Sequence, residues 1–300
     1  LLMTTAIESF DLSDFDLVIS SSAVFSKGLV LKPKTKHICY CYSPTRQIWD
    51  LHTAQSSMTK DQRFRLSALS YKLAQHLLRI WDRQASDRVD EFIAISEHVR
   101  RSIQKYYRRE AKVIYPPISI NSKFKTLNSK QTQNGDYCLI VSRLYQHKNI
   151  DITIEAFNKL NLPLIIIGDG PEKEKLKNKI EKGKRIRLLG FVSDEELSNY
   201  YQNCLAFIMP QEEDFGIAPI EAMSFGKPVL ALRKGGAIET IIEGKTGEFF
   251  DDPIPEALAD GIRRLNENYQ NYNPEFIKSH TQRFSANNFR KEISKIVYNN

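Results

Sequence analysis

The chain has 300 residues, 41% of them apolar and 26% charged, with a formal charge of +7. That is the composition of a globular protein long enough for two ordinary domains, and no apolar run reaches membrane-spanning length. The four cysteines, Cys39, Cys41, Cys138 and Cys204, form no C-x-x-C pair. Three lie inside apolar, strand-like runs, which excludes a disulfide framework or zinc cluster and fits reduced, buried thiols in a cytoplasmic protein.

The first residues, LLM, show no initiator-type start and no leader, and the chain is expected to be a fragment lacking an N-terminal piece of its first domain. DLVIS (16–20), HICYCY (37–42), EFIAIS (91–96) and AKVIY (111–115) are short, rich in β-branched and aromatic residues, and read as strands. Residues 60–86 read as one long helix, with Phe64, Leu69, Leu73, Leu77, Ile80 and Trp81 recurring at helical spacing as a core stripe. The same helix carries Arg63, Arg65, Lys72, Arg79 and Arg83, so peripheral contact with the inner membrane face stands as the second use of that stripe. Pro116 and Pro117 end the AKVIY strand, and residues 121–136 read as a polar linker. The predicted divisions are residues 1–120, the linker, 137–275 and a C-terminal helix within 276–300.

From YCLIVSR (137–143) onward, strands alternate with helices. The predicted strands are 137–143, 163–168, 185–190, 205–210 and 228–232; the predicted helices are 150–160, 171–182, 194–203, 217–225, 236–243 and 284–299. Apolar strands alternating with helices specify a parallel sheet covered on both faces. Ligands of such sheets bind at the carboxyl ends of the strands. The loops to inspect are therefore SRLYQHK, GDGP, GFVSD, PQEEDFGIAP and LRKGGA.

Two of these loops hold cations and carboxylates in suggestive places. Arg143 and Lys148 flank the first, which suits a diphosphate. Glu213 lies after the LAFIMP strand, and Glu221 is placed in the first turn of the following helix, which Pro219 also favours. Gly216 allows close approach of a ligand. Taken singly, Glu221 is an ordinary helix-start glutamate, Glu213 a solvated loop acid, and Lys148 a surface cation. Gly235 and Gly236 offer backbone N–H groups at another helix start. The GDGP loop lacks the third glycine of a dinucleotide fingerprint, since Lys173 stands there, and reads as a tight turn. In the first half, Arg46, Trp49 and Asp50 follow a buried strand, where Trp49 is equally a core residue. The run at 176–187 mixes Glu with Lys and holds no aromatics, so nucleic acid is not a predicted partner.

Together these segments resemble the family 4 glycosyltransferases. Glu213 to Glu221 is similar to that family's E-x7-E motif and SRLYQHKN to its donor-phosphate loop. GDGPEKEKL, GFVSDEEL, EDFGIAPIEAMSFGKPV and GGAIETI follow in the family's order. YSPTRQIWDL, LRIWDRQASDRVDEFIAISEHV and YYRREAKVIYPP resemble a bacterial branch, the mannosyltransferases of surface polysaccharide synthesis. The resemblance implies an α/β protein of GT-B fold, two Rossmann-like parallel-sheet domains facing a cleft with the first incomplete, and a last helix crossing back to the first domain. It implies retaining transfer of a sugar, mannose from GDP-mannose, to a saccharide or lipid-linked acceptor, with no cofactor and no required metal. Arg143 and Lys148 would hold the diphosphate, Glu221 the ribose and Glu213 the donor sugar. Gly216 and Ile217 would present their amides to that sugar, and Gly168, Val192 and Phe215 would complete the donor site. Tyr42, Arg46, Trp49 and Asp50 would line the acceptor side. Tyr42 stands where this branch commonly has a histidine, a departure that bears on any catalytic role at that position. The alternatives are a GT-B nucleotide-sugar epimerase and an inactive donor-binding fragment.

Overall fold

The computed structural model describes residues 2–49, 65–118 and 135–298. The chain divides into two units, residues 1–115 and 116–300. The expected linker, 121–136, lies outside the described residues apart from its last two.

The first unit opens with helix α1 (Leu2–Glu8) and contains four parallel strands in the order β1 (Leu17–Ser22), β2 (Lys36–Cys41), β3 (Glu91–Ala94) and β4 (Ala111–Val113). Registers such as Ile38↔Glu91 and Phe92↔Ala111 run in parallel along the sheet. Among the described residues it also holds a 3-10 turn, Ser26–Gly28, and helices α2 (Arg46–Trp49), α3 (Arg65–Asp87) and α4 (Glu97–Tyr107). Helix α4 begins because the Ser96 hydroxyl accepts from the Val99 N–H, satisfying one of the donors a helix start leaves open. Val99, Ile103 and Tyr107, at i, i+4 and i+8, bury one face of it. That Ser cap and spacing were legible in the sequence, but the helix was not predicted.

Helix α3 corrects the reading of its stripe. Leu73, Leu77 and Ile80 recur as expected, yet they are 58%, 43% and 44% exposed. Among the described positions the buried ones are Gln75, Asp82, Ala85 and Ser86. Asp82 explains which face turned inward. Its carboxylate pairs with Lys27 Nζ at 2.7 Å and accepts from Thr45 Oγ1 (2.7 Å), Trp49 Nε1 (2.8 Å) and the Tyr107 hydroxyl (2.8 Å). Hydrophobic spacing locates a helix; here a buried polar network chose its orientation. Phe64 lies outside the described residues.

His37 is a second buried polar group of this sheet. Its Nε2 lies 2.8 Å from Ser20 Oγ, and its Nδ1 has no partner among the described residues. Burial pulls its pKa down to about 4, against a smaller upward pull from Asp90. A histidine held neutral by burial binds its proton more readily in the unfolded chain. Stability is therefore complete above the unfolded value near 6.5 and is lost as pH falls from there toward 4. At pH 4.5 this one group is expected to cost about 2–3 kcal/mol. Urea unfolding of the wild type and of His37→Gln at pH 7.5 and 4.5 tests this: the variant loses less stability between the two pH values, and equal losses would refute the assignment.

The second unit holds a six-stranded sheet ordered β10-β9-β8-β5-β6-β7. The strands are β5 (Cys138–Val141), β6 (Leu164–Ile167), β7 (Ile186–Gly190), β8 (Ala206–Met209), β9 (Val229–Leu232) and β10 (Gly247–Phe250), all parallel. β6, β8 and β9 are buried at every position, as continuous apolar runs require when helices cover both faces; the edge strand β10 is buried too, although it holds Glu248. The connecting helices are α5 (Ile150–Leu160), α6 (Lys173–Lys179), α7 (Asp194–Asn203), α8 (Ile217–Ser224) and α9 (Ala237–Thr240). Helices α10 (Pro255–Glu267), α11 (Pro274–Thr281) and α12 (Ala286–Tyr298) follow.

Most expected strands stand within a residue or two. The helices expected over 171–182 and 236–243 are shorter, chiefly because each ends early, where Ile180 and Ile241 turn to extended backbone. Strand β10 and helices α10 and α11 were not predicted. Their cues were the aromatic pair Phe249–Phe250 and a proline at each helix start. All four cysteines are free and buried. Among the described residues no helix is long and apolar enough to cross a membrane.

Candidate functional site

The order of the second sheet reverses between β5 and β8. β6 and β7 extend one way from β5, while β8, β9 and β10 extend the other. The crevice at the carboxyl ends of such a strand pair is where doubly wound sheets take ligands. The loops there are 142–149 after β5 and 210–216 after β8.

The first loop closes as a 3-10 turn, Gln146–Lys148, and ends at Asn149 in the left-handed region with φ 54°. Asn149 Nδ2 donates to the Pro210 carbonyl at 3.0 Å, tying one loop to the other. Lys148 Nζ lies 2.5 Å from Glu213 Oε1. That oxygen also accepts from Gln211 Nε2 at 2.9 Å. The expected phosphate cation and the expected sugar carboxylate are thus ion-paired with each other. Arg143 is exposed, and its guanidinium has no hydrogen bond or ion pair among the described residues. Its neighbour Leu144 is buried and donates its N–H to Asp169 O at 2.9 Å, so the cation projects from a fixed backbone.

The 210–216 loop leads into α8 through Gly216, which has φ 91°. A Cβ there would also lie 3.2 Å from Met209 Sδ and Pro219 Cγ, so the turn favours glycine twice over. Its N-cap, Gly216, has no side chain to cap the helix, and a helix start of this kind offers first-turn N–H groups to an anion or a hydroxyl. Ile217, its first residue, is 48% exposed. The Phe215 ring faces the other way: it is buried and meets Phe284 edge-on at 5.5 Å. A donor would meet Phe215 through its backbone only.

Glu221 corrects a placement. It is the fifth residue of α8 and lies past the first turn, which holds no acid. Its Oε2 instead accepts from the Tyr201 hydroxyl at 2.9 Å. Burial first, and then the Glu221 charge, push Tyr201 well above the usual tyrosine range, so it remains a donor to that carboxylate. The Gly235–Gly236 pair is a second correction. Its backbone is not open to a ligand at Gly236, whose N–H donates to the Glu213 carbonyl at 2.8 Å. A Cβ on Gly235 would meet that carbonyl at 2.2 Å, and one on Gly236 would meet Phe215 Cα at 2.5 Å. The glycines let one loop press on the other and so fix Glu213 from behind.

The GDGP loop is the tight turn expected. Gly168 has φ 139°, and a Cβ on it would meet Ser142 O at 1.9 Å. Asp169 is lowered by Lys173, which pairs with it at 2.8 Å, and by the Gly170 N–H. Val192 is half-buried in the loop after β7. Gln211, Asn149 and Tyr201 were not predicted, since nothing in local spacing shows a contact made across strands.

In the first unit, the Tyr42 hydroxyl accepts from Ser21 Oγ at 3.1 Å, and its ring meets Tyr40 edge-on at 5.5 Å. Trp49 stacks on Tyr106 at 4.9 Å while its Nε1 donates to Asp82. Arg46 is half-buried at the start of α2, and Asp50 lies outside the described residues.

Residues 122–283, more than half of the chain, match the family described as glycosyl transferases group 1. The chain belongs to that family. Among curated relatives it is 28% identical over 195 residues to an uncharacterized glycosyltransferase of Methanocaldococcus jannaschii, covering 63% of this chain and 53% of that protein. It is 24% identical to the alpha-1,3/1,6-mannosyltransferase of Dictyostelium discoideum, covering 86% of this chain and 67% of the relative. The chain therefore spans from about half to two thirds of the length of these relatives. Among solved structures it resembles sucrose-phosphate synthase of Thermosynechococcus elongatus, at a TM-score of 0.73 and 17% identity, over 95% of this chain and 73% of that one. It also resembles Anabaena HepE in complex with UDP, at 0.71 and 19%, over 100% and 81%. These likenesses show the fold. It is GT-B, as expected: two Rossmann-like parallel-sheet units, the first the smaller among the described residues.

Proposed function

We propose that this member of the group 1 glycosyl transferases binds a nucleoside diphosphate sugar in its second unit and transfers the sugar, with retention, to a saccharide or lipid-linked acceptor. The observation that carries this is a half-buried lysine–glutamate pair, with an exposed arginine on the lysine's own loop that has no partner among the described residues, at the strand pair where the sheet order reverses. Arg143 and Lys148 supply the positive charge that a diphosphate leaving group needs, so no metal or cofactor is called for. Glu213 accepts from the donor sugar's hydroxyls through Oε2, which has no hydrogen bond among the described residues, and Glu221, steadied by Tyr201, accepts from the ribose. The first-turn amides at Gly216 and Ile217 face the sugar, while Gly168 and Val192 border the nucleoside. Tyr42, Arg46 and Trp49 are assigned to the acceptor.

The proposed donor is GDP-mannose. It is supported by the bacterial resemblance and by mannosyltransferases among relatives at 24% and 26% identity. The test is calorimetric titration with GDP-mannose, GDP, UDP-glucose and UDP, without metal. Micromolar binding of GDP-mannose supports the reading. Preference for UDP-glucose keeps the site and changes the donor, and binding of none refutes the site. A nucleotide-sugar epimerase would convert its donor with no acceptor present, and an inactive donor-binding fragment would bind without transfer.

We also propose a cytoplasmic location with α3 resting on an anionic lipid surface. Residues 65–81 hold no acidic residue, and Tyr71, Leu73, Leu77 and Ile80 are exposed among cations that include Lys72. Exposed apolar groups interspersed with cations suit anionic headgroups. The protein is expected to sediment with phosphatidylglycerol vesicles and not with phosphatidylcholine vesicles. Leu77→Glu/Ile80→Glu should abolish that; equal sedimentation of the double variant would refute it.

A further inference from the structure

Gln211 was not among the predicted site residues, and its surroundings are unusual. It is 5% exposed. Its Nε2 donates to Glu213 Oε1 at 2.9 Å, while its own Oε1 is buried with no hydrogen-bond partner among the described residues. A buried amide with one end orphaned is costly, and such groups in native proteins need an explanation. Turning the amide over would set its oxygen against the Glu213 carboxylate, so Glu213 itself dictates which end is the N–H. The orphaned oxygen follows from that choice.

Glu213 Oε1 has two donors, Lys148 and Gln211. On the proposed reading of the site, on which this inference rests, only one of them can stay. Lys148 is a flexible cation, and a diphosphate with its concentrated negative charge competes for it. If Lys148 were the sole partner, donor binding would release Glu213 just when its carboxylate must meet the sugar. The backbone behind Glu213 is already fixed by Gly236 N–H on its carbonyl and by Asn149 on Pro210. The side chain is then the remaining freedom. We infer that Gln211 is a positioning residue: it keeps the Glu213 carboxylate aimed at the donor sugar after Lys148 has turned to the diphosphate. A neutral amide suits this task, since it has no net charge for the phosphates to attract.

The test compares a sugar-bearing donor with its bare nucleotide. Gln211→Met keeps the shape and removes the donor group, and Gln211→Ala cannot clash if methionine does. Affinities for GDP-mannose and GDP, and for UDP-glucose and UDP, are measured by calorimetry alongside thermal melts. In the nucleotide series that the wild type binds, either folded variant is expected to hold the bare nucleotide within about twofold of wild type. Its affinity for the sugar-bearing donor is expected to fall about tenfold, the worth of a hydrogen bond to a charged group. Equal losses for both ligands would make Gln211 a structural residue and overturn the inference. So would unchanged affinity for the nucleotide sugar. Failure of the wild type to bind any of the four ligands would instead bring down the donor-site reading, and this inference with it.

Discussion

Lys148→Met is expected to lower the affinity for the nucleoside diphosphate about 10- to 100-fold, the worth of a charge-assisted hydrogen bond to phosphate. It is expected to slow transfer further, by about 100- to 1,000-fold, because the leaving diphosphate gains negative charge in the transition state and a preorganised cation then counts most. The pair with Glu213 shapes the outcome. In the free protein Lys148 is already partnered at 2.5 Å, so its attraction for phosphate is measured against what it gives up. Glu213→Gln removes that competition, and its bare-nucleotide binding is expected to hold or to tighten while binding of the sugar-bearing donor weakens. A loss of bare-nucleotide binding on one side of the ion pair and none on the other separates a switching lysine from a merely structural bridge. Calorimetry with GDP and GDP-mannose on wild type and both variants provides the measurement. If Lys148→Met binds both ligands as the wild type does, the phosphate assignment is wrong. Lys148→Arg is expected to restore binding only in part, since a planar fork does not replace a point charge on a flexible stem.

Why the loops were legible and the contacts were not follows from the physics of a parallel sheet. Runs such as LIII and AFIM are too apolar to lie anywhere but between two helical layers, so alternation alone fixed the strands and with them the ligand end. Arg143, Lys148, Glu213 and Gly216 fall at those ends by counting. The partners that define their chemistry come from other strands and helices. Tyr201 reaches Glu221 from 20 positions away, and Lys148 meets Glu213 across 65. No local period carries such a pairing. Gly235 and Gly236 show the reverse error: a glycine pair beside a helix start suggests an open anion site, yet here the missing side chains admit another loop's backbone. The stripe on α3 fails for a third reason. Apolar spacing gives a helix and its faces, but a single carboxylate with four donors outweighed the leucines in deciding which face was buried.

That carboxylate sets the second large effect. Asp82→Asn is expected to destabilise the first unit by about 3–5 kcal/mol, the cost of leaving a buried charge without its counter-ion. The side chains of Lys27 and Asp82 are 1% and 2% exposed. The Lys27 ammonium otherwise has Val24 O and Thr45 Oγ1 as acceptors, and the faces of Tyr107 and Trp81 at 5.5 and 6.0 Å. None of these carries a formal charge. The asparagine keeps the shape and can still accept from some of Thr45, Trp49 and Tyr107, so the loss is chiefly that of the pair. This distinguishes it from a cavity: the double variant Lys27→Met/Asp82→Asn, which removes both charges, is expected to regain much of the stability, as paired buried charges replaced together often cost little. Urea unfolding of the wild type, both single variants and the double gives the coupling directly. Additive losses would show that the two side chains contribute separately. A strong positive coupling would show that Asp82 is buried to neutralise Lys27, the same carboxylate that accepts from Thr45 before α2 and from Trp49 within it.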